Sequence, residues 1–199
     1  MPEISLTDFV DVVIKSGTPK ATKVEQIKHR PSYEPAFDFY KYVREKIKEI
    51  HRTNGSKKEL DHVLPEIRNQ KKLPSYSQIV EGYRRWWGRK DFRWFDPPST
   101  LFSKHGIDVR INPELGLIVN GKSHLIKLYF KSSEVTKNRI NIITHLMTES
   151  LTEQTPTDTI MAVLDVRNGK LFTPPAPVAK LSAILEAEMA YIAALWPQI

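Results

Sequence analysis

The dipeptide Asn120-Gly121 separates two short apolar segments, residues 115–119 and 125–130. Both of its residues tolerate the positive φ angles that a two-residue type I′ turn requires. The flanking segments carry the apolar and β-branched residues that are typical of strands. The sequence therefore predicts a β-hairpin here, and any fold for this chain must contain an antiparallel sheet in its second half.

Three further segments extend the predicted sheet. Residues 107–111 precede the hairpin, residues 159–166 form a strand segment whose residues 160–164 are all apolar, and residues 170–173 follow the turn dipeptide Asn168-Gly169. A strand that is apolar at every position is typical of one buried on both faces. Together the segments predict a mixed, mostly antiparallel sheet of about five strands.

Apolar residues recur at helical spacing in the rest of the chain. The predicted helices lie between Ser5 and Gly17, at 36–52, at 75–87, at 138–151 and after Val178, with a helix broken by Pro65 over 57–69. The predicted fold class is thus α+β or α/β, in the order ααα-βββ-α-ββ-α. We expect one domain over residues 1–199, in which a helical N-terminal extension (1–75) packs on an α/β core (76–199).

The chain contains no cysteine, which excludes a disulfide framework, a thiol nucleophile and a thiolate zinc site. Its six histidines lack the spacing of metal ligands, so no metal site is predicted. The first residues lack the positive segment and apolar run of a secretory signal, and the longest apolar run, 160–164, is too short to cross a bilayer. We expect a cytoplasmic protein that does not associate with membranes.

The net charge of +7 is concentrated in the first half of the chain. Residues 1–99 contain 20 Lys and Arg against 14 Asp and Glu, whereas residues 100–199 contain 10 against 9. Such a surplus is typical of a surface that meets an acidic partner, although small soluble domains also carry moderate net charge. Any contact with nucleic acid is therefore expected in the helical half.

Residues 84–95 hold five aromatic and five cationic side chains within twelve positions. Cations neutralise phosphates and aromatic rings stack on bases, so this combination is typical of single-stranded nucleic-acid binding. The aromatic residues also continue the apolar stripe of the preceding helix, and we expect most of them in the core. The cations are harder to bury. The candidate phosphate contacts are Arg84, Arg85, Arg89, Lys90 and Arg93, with Lys131 as a further contact.

A helix, three strands, a helix and a further central strand follow one another over about residues 76–173. This order resembles the core of the PD-(D/E)XK, or restriction-endonuclease-like, superfamily, and residues 106–110 are similar to the Gly-x-Asp strand of RecB-like nucleases. The resemblance implies a divalent metal held by an acid on the second strand and by an Asp/Glu-x-Lys motif on the third. It also implies that the motif lysine orients the attacking water.

The third strand departs from this pattern. Tyr129 stands two residues before Lys131, where the superfamily has an acid, and Leu125 stands in the same relation to Lys127. The lysines have the expected spacing, but neither is preceded by a carboxylate. The resemblance therefore implies a nuclease-like core whose acid set is incomplete.

The residues that remain for catalysis are Asp108, Glu114 and Lys127. Hydrolysis assisted by Mg²⁺ or Mn²⁺ needs carboxylates that converge on the metal. An active enzyme would therefore require a further acid, for which Glu134 and Glu81 are the candidates.

Three functional hypotheses follow from the sequence. The first is a non-catalytic protein that associates with DNA or RNA, has a nuclease-like core and needs no cofactor. The second is a metal-dependent nuclease with an incomplete or migrated acid set, and Mg²⁺ is expected only in this case. The third is a subunit of a larger protein assembly, because the aromatic content can exceed what one core hides.

Overall fold

The structure is a computed structural model, and it describes residues 1–31, 38–67, 69–174 and 179–199. Within these residues the chain forms one sheet of three strands, one sheet of five strands, and α-helices that pack on and between them. No helix in this part of the chain is long and apolar enough to span a membrane. The predicted fold class, a mixed fold of helices and sheet with helices concentrated in the first half, is confirmed.

The bounds of the regular elements are as follows. The helices are α1 (Leu6–Val13), α2 (Gly17–Lys28), α3 (Lys41–Arg52), α4 (Leu73–Trp87), α5 (Lys137–Leu151) and α6 (Leu181–Leu195). The strands are β1 (Glu3–Ser5), β2 (Phe92–Phe95), β3 (Thr100–Lys104), β4 (Ile107–Ile111), β5 (Leu115–Val119), β6 (Lys122–Tyr129), β7 (Ile160–Asp165) and β8 (Lys170–Phe172).

The larger sheet has the strand order β2-β5-β6-β7-β8. β5 and β6 form the predicted hairpin, in which Val119 pairs with Lys122 and the turn residues Asn120 and Gly121 have φ angles of 48° and 85°. β6 and β7 are parallel because α5 returns the chain across the sheet between them. The other neighbouring strands are antiparallel, so the prediction of a mixed, mostly antiparallel sheet is confirmed.

A second sheet, in the order β1-β4-β3, contains the segment 107–111 that the sequence assigns to the main sheet. β2 takes the corresponding place in the main sheet, beside β5. β1 has three residues and pairs in parallel with β4, with Ile4 opposite Val109. A strand this short has no periodic signal of its own and forms because a distant partner satisfies its backbone groups. The predicted membership of the five strands is therefore corrected.

The two faces of the main sheet bury different helices. In β6, Leu125 and Tyr129 belong to one core cluster, whereas Ile126 and Leu128 belong to the other, as the alternation of a strand requires. The first cluster includes α1, α5, α6 and the small sheet, and α5 is buried on most sides because it lies between the sheets. The second cluster includes α3 and α4. Both clusters combine residues from before and after position 75.

Helix boundaries differ in part from their sequence signals. α4 begins at Leu73, with Pro74 in its first turn, where a proline leaves no hydrogen bond unmade. The broken helix predicted over 57–69 is a 3-10 turn, Lys57–His62, in the described residues. Residues 36–37 and Val178, which the sequence assigns to helix ends, lie outside the described residues.

Candidate nucleic-acid interface

The aromatic side chains of segment 84–95 lie mainly in the core. Trp86 and Trp87 are 3% and 9% exposed, and the centroid of each ring lies 5.2 Å from that of Phe92. Tyr83 is fully buried and contacts both tryptophans from the preceding turn of α4. The expectation that most of these residues belong to the core is confirmed, and these buried rings are not available to stack on bases.

His51 of α3 completes this aromatic cluster. Its ring stacks on Trp87 at 4.6 Å, and its Nε2 lies 2.5 Å from the hydroxyl oxygen of Tyr83. Burial lowers the pKa of His51 to about 4 and raises the pKa of Tyr83 well above its usual range. Both side chains are therefore neutral at physiological pH, and His51 brings no positive charge to the nearby surface.

Two of the predicted phosphate contacts, Arg84 and Arg85, have protein partners. Both side chains are exposed on α4. Arg84 forms an ion pair with Asp61 of the 3-10 turn, and Arg85 donates to the backbone carbonyl of Arg167 at 2.9 Å. An exposed ion pair contributes little to stability, but it reduces the positive charge that Arg84 presents to a ligand.

Arg89 and Lys90 follow the end of α4. Arg89 is exposed and makes no hydrogen bond or ion pair with a described residue. Lys90 is half-buried, donates to the carbonyl of Trp86 and lies 5.4 Å above the centroid of that ring. Neither residue has a carboxylate partner in the described part of the chain, so no ion pair offsets either charge.

Arg93 and Lys131 lie away from these residues. In β2, Phe92 and Trp94 pack towards α4, so the alternation of the strand places Arg93 on the opposite face. Lys131 follows the carboxyl end of β6, whereas β2 pairs with residues 116–119 of β5, which lie opposite residues 122–125 at the start of β6. Its Nζ lies 2.5 Å from Asp11 Oδ2. The six predicted contacts therefore do not form one surface.

Lys131 belongs to a network of ion pairs that joins α1 to the core. Asp11 also accepts from Arg139 Nη1 at 2.8 Å. Asp8 accepts two bonds from Arg30, at 2.8 and 2.9 Å. Burial opposes ionisation of Asp8, but the hydrogen bonds from Arg30 and Ser5, with the charges of Arg30 and Lys23, prevail and lower its pKa to about 2. We interpret this network as structural.

A pocket of about 220 Å³ opens between the end of α3 and the start of β2. Trp87 and Phe92 form part of its wall, and Lys57 and Lys90 line it from the 3-10 turn and from the end of α4. Lys57 Nζ donates to the carbonyl of Gly88 at 3.0 Å. Both ammonium groups are therefore held near the last turn of α4, whose unpaired carbonyls attract cations.

Two cationic side chains, Lys57 and Lys90, line this pocket, and three more belong to residues next to the lining segments in the chain. We call these five residues the α3–α4 rim. Arg52 and Lys58 are chain neighbours of the lining segment and Arg89 precedes Lys90, all three being exposed. No rim residue is paired with a carboxylate in the described part of the chain. The rim consists of Arg52, Lys57, Lys58, Arg89 and Lys90.

Two carboxylates lie close to the rim. Asp91 lines the pocket, and Glu59 Oε1 accepts the backbone N–H of Ser56 at 2.8 Å. Five cations against two carboxylates leave a positive surplus of three. A larger pocket, of about 390 Å³ along α3, is lined by Asp38, Glu45 and Glu49 together with three lysines. That second pocket has no surplus, so the rim is the better candidate for binding an anion.

The sequence matches no known protein-family model. Comparison with curated proteins likewise finds no match.

The structure brings together two of the three candidate catalytic residues. Glu114 Oε1 accepts from Lys127 Nζ at 2.7 Å, and Glu114 Oε2 accepts the backbone N–H of Leu128 at 2.8 Å. Lys127 also donates to the carbonyl of Asn112 at 2.9 Å. The side chains of Lys127 and Glu114 are 8% and 12% exposed, so this is a largely buried pair with both carboxylate oxygens engaged.

The third candidate, Asp108, lies on β4 in the small sheet. Its Oδ1 accepts from the hydroxyl of Ser103 at 2.6 Å, and it shares no contact with the pair of Glu114 and Lys127. Within the described residues, no group of three or more His, Asp or Glu side chains has an arrangement that could hold a metal ion. The catalytic assignment of these residues stays a prediction.

In β6, the two positions where the resemblance would place an acid are occupied by buried residues. Leu125 is fully buried and Tyr129 is 5% exposed. The alternative acids Glu81 and Glu134 are exposed and contact no member of the candidate catalytic set.

The aromatic content that motivated a partner protein is largely absorbed by the two cores. Among the described aromatic side chains, Tyr191 alone is exposed, at 38%. It lies on α6 near Ile184, which is 49% exposed. A protein partner stays a prediction without an aromatic surplus to support it.

Proposed function

We propose that the protein associates with nucleic acid without cleaving it, and that the α3–α4 rim contacts the phosphates. The observation that carries this proposal is a pocket lined by two lysines, with three exposed cations next to its lining segments in the chain. None of the five has a carboxylate partner among the described residues. When cations of this kind bind the phosphates of a nucleic acid, they release the counterions condensed on it. This release is the source of sequence-independent affinity.

The chemistry of the rim favours contact with the phosphate backbone over base reading. Phosphate contacts position a protein on nucleic acid, whereas sequence is read from base edges. The rings of Trp86 and Trp87 pack against Phe92, whereas the rim side chains of Arg52, Lys58 and Arg89 are exposed. We therefore expect binding with little sequence preference.

The order of the elements supports a nuclease-like core. α4 precedes the antiparallel neighbours β2, β5 and β6, and α5 and β7 follow. This is the order that the resemblance implies if β2 takes the place of segment 107–111, and Asp108 then lies outside the meander. β3 and β4 form an insertion between the first two strands of this meander. Because Leu125 and Tyr129 occupy the positions of the third-strand acid, a core of this kind is expected to bind without hydrolysis.

Fluorescence polarisation with labelled single-stranded DNA, single-stranded RNA and duplex DNA tests the proposal. We expect binding at about 50 mM salt that weakens strongly at about 200 mM. A triple variant with Arg52→Ala, Lys58→Ala and Arg89→Ala is expected to bind at least about tenfold more weakly, since it removes three exposed phosphate contacts.

The matched control removes the same charge elsewhere. Lys15, Lys71 and Lys137 are exposed and have no ion-pair partner among the described residues, and their triple alanine variant is expected to keep most of the affinity. The proposal is rejected if the wild type fails to bind at low salt, if its affinity does not respond to salt, or if the two triple variants are equally weakened.

A metal-dependent nuclease is the second candidate, and the contact between Glu114 and Lys127 favours it. The assay is incubation of wild type and Glu114→Gln with Mg²⁺ or Mn²⁺ and mixed substrates. We expect no metal-dependent cleavage by either protein. Cleavage by the wild type that Glu114→Gln abolishes would replace the first proposal with this one.

A further inference from the structure

We propose that the pocket lined by Lys57 and Lys90 binds the terminal phosphate of a nucleic-acid strand. This inference rests on the proposed function, because it assigns the rim as the surface that the strand reaches. It adds a preference for strand ends, which contact with the backbone alone would not produce.

The size of the pocket suits one chemical group. Sites for whole small molecules usually enclose about 300–1,000 Å³, and this pocket encloses about 220 Å³. The pocket is therefore smaller than the sites that usually hold whole small molecules. A phosphate at the end of a strand can enter while the rest of the strand stays outside among the exposed cations.

Lys57 and Lys90 supply fixed donors in the pocket. Each ammonium group has three N–H donors and no acceptor. One donor of Lys57 is used by the carbonyl of Gly88 and one of Lys90 by the carbonyl of Trp86. The remaining donors are free of carboxylates, so they can form charge-assisted hydrogen bonds with phosphate oxygens.

The charge of the pocket favours a phosphomonoester over a diester. A terminal phosphate carries a charge of about −1.5 to −2 at neutral pH, whereas each internal phosphate carries one negative charge. Burial lowers the pKa of Lys90, whose ammonium group forms no ion pair with a described carboxylate, and an entering anion would relieve this cost. Asp91 on the pocket wall opposes the anion and limits its affinity.

The test compares single strands of one sequence that end in a 5′-phosphate, a 3′-phosphate or hydroxyl groups only. Inorganic phosphate and a nucleoside monophosphate serve as competitors, which separates a strand end from a free phosphate. We expect at least one phosphorylated strand to bind about tenfold more tightly than the hydroxyl-ended strand, as two charge-assisted hydrogen bonds allow.

Two variants assign that preference to the pocket. The double variant Lys57→Gln, Lys90→Gln is expected to bind all three strands with similar affinity. Asp91→Asn, which leaves both lysines in place, is expected to increase the preference for the phosphorylated end. Thermal unfolding of each variant shows whether it is folded, and Asp91→Asn keeps the test decisive if the lysine variant is not.

The outcomes separate this inference from the proposed function. Equal affinity of the wild type for phosphorylated and hydroxyl-ended strands overturns the pocket assignment and leaves rim binding intact. A preference that persists in the folded double variant, or that Asp91→Asn does not increase, also overturns it. Failure of the wild type to bind any strand overturns both proposals, and competition by free phosphate as strong as by a phosphorylated strand overturns the assignment to strand ends.

Discussion

Glu114 Oε1 lies 2.7 Å from Lys127 Nζ, and together the two side chains join the start of β5 to the middle of β6. The second carboxylate oxygen accepts the backbone N–H of Leu128. An ion pair with so little exposure is held in a low-dielectric setting, where each charge depends on the other for its stability. The pair explains how a polar lysine is accommodated on the buried face of a central strand.

Replacing Lys127 with methionine is expected to destabilise the fold by about 3–5 kcal/mol, because Glu114 would be left as an uncompensated buried charge. Urea unfolding at neutral pH measures this change. The control is Lys48→Met, which removes an exposed partner of Glu45 and is expected to cost less than about 1 kcal/mol. A loss below about 1 kcal/mol for Lys127→Met would show that the pair is not structurally important.

His51 is expected to make the stability depend on pH between about 6.5 and 4. Its folded pKa is about 4, below the unfolded value, so the unfolded chain takes up the proton first as pH falls. Stability contributed by the neutral ring is therefore present above about pH 6.5 and lost progressively down to about pH 4, by roughly 3 kcal/mol. The variant His51→Gln should lose this part of the pH dependence in urea unfolding. An equally steep profile in the variant would assign it to other groups.

Asp8 is expected to make the stability depend on pH in a lower range than His51 does. Its folded pKa is about 2, held down by Arg30, Ser5 and Lys23 against the cost of burial. Its contribution is therefore present above about pH 4 and lost as pH falls towards 2, by about 2 kcal/mol. Acid unfolding of wild type and Asp8→Asn measures it. If the two proteins lose stability in parallel below pH 4, the carboxylate is not ion-paired in solution as the structure shows.

Gly82 is expected to be intolerant of a side chain. A Cβ at this position would lie 2.0 Å from the carbonyl oxygen of Val166 and 2.3 Å from that of Arg167, so α4 would have to move off the turn after β7. Gly82→Ala should cost about 1–3 kcal/mol, although alanine favours a helix by about 1 kcal/mol over glycine. The exposed neighbour Glu81→Ala should change stability by less than about 0.5 kcal/mol. A gain of stability in Gly82→Ala would contradict the close packing.

Features of the fold that depend on local sequence could be predicted, and those that depend on distant partners could not. The hairpin follows from Asn120-Gly121 alone, because the turn sets the pairing of the two strands that it joins. β1 pairs with β4 across about a hundred residues of chain, and nothing in its three residues signals that partner. The split into two sheets therefore became visible only in the folded structure.

The candidate site likewise combines residues that the sequence identifies with residues that only the fold brings together. Arg89 and Lys90 stand out in the sequence because they belong to a dense cationic segment. Arg52, Lys57 and Lys58 lie more than thirty residues earlier, and only the packing of α3 against α4 and β2 makes them neighbours. The sequence alone could have shown that Arg93 lies on another face. In a strand over residues 92–95, period-two alternation places Arg93 opposite the two aromatic residues beside it.

The salt dependence of single-strand binding measures how many phosphates the α3–α4 rim contacts. The logarithm of the affinity falls with the logarithm of salt concentration by about 0.7 for each phosphate contact on a single strand. We predict that the variant lacking Arg52, Lys58 and Arg89 has a slope shallower than the wild type by about 2, while the Lys15, Lys71 and Lys137 control keeps the wild-type slope. An identical slope in wild type and rim variant would contradict the account, because it would place the phosphates on another surface.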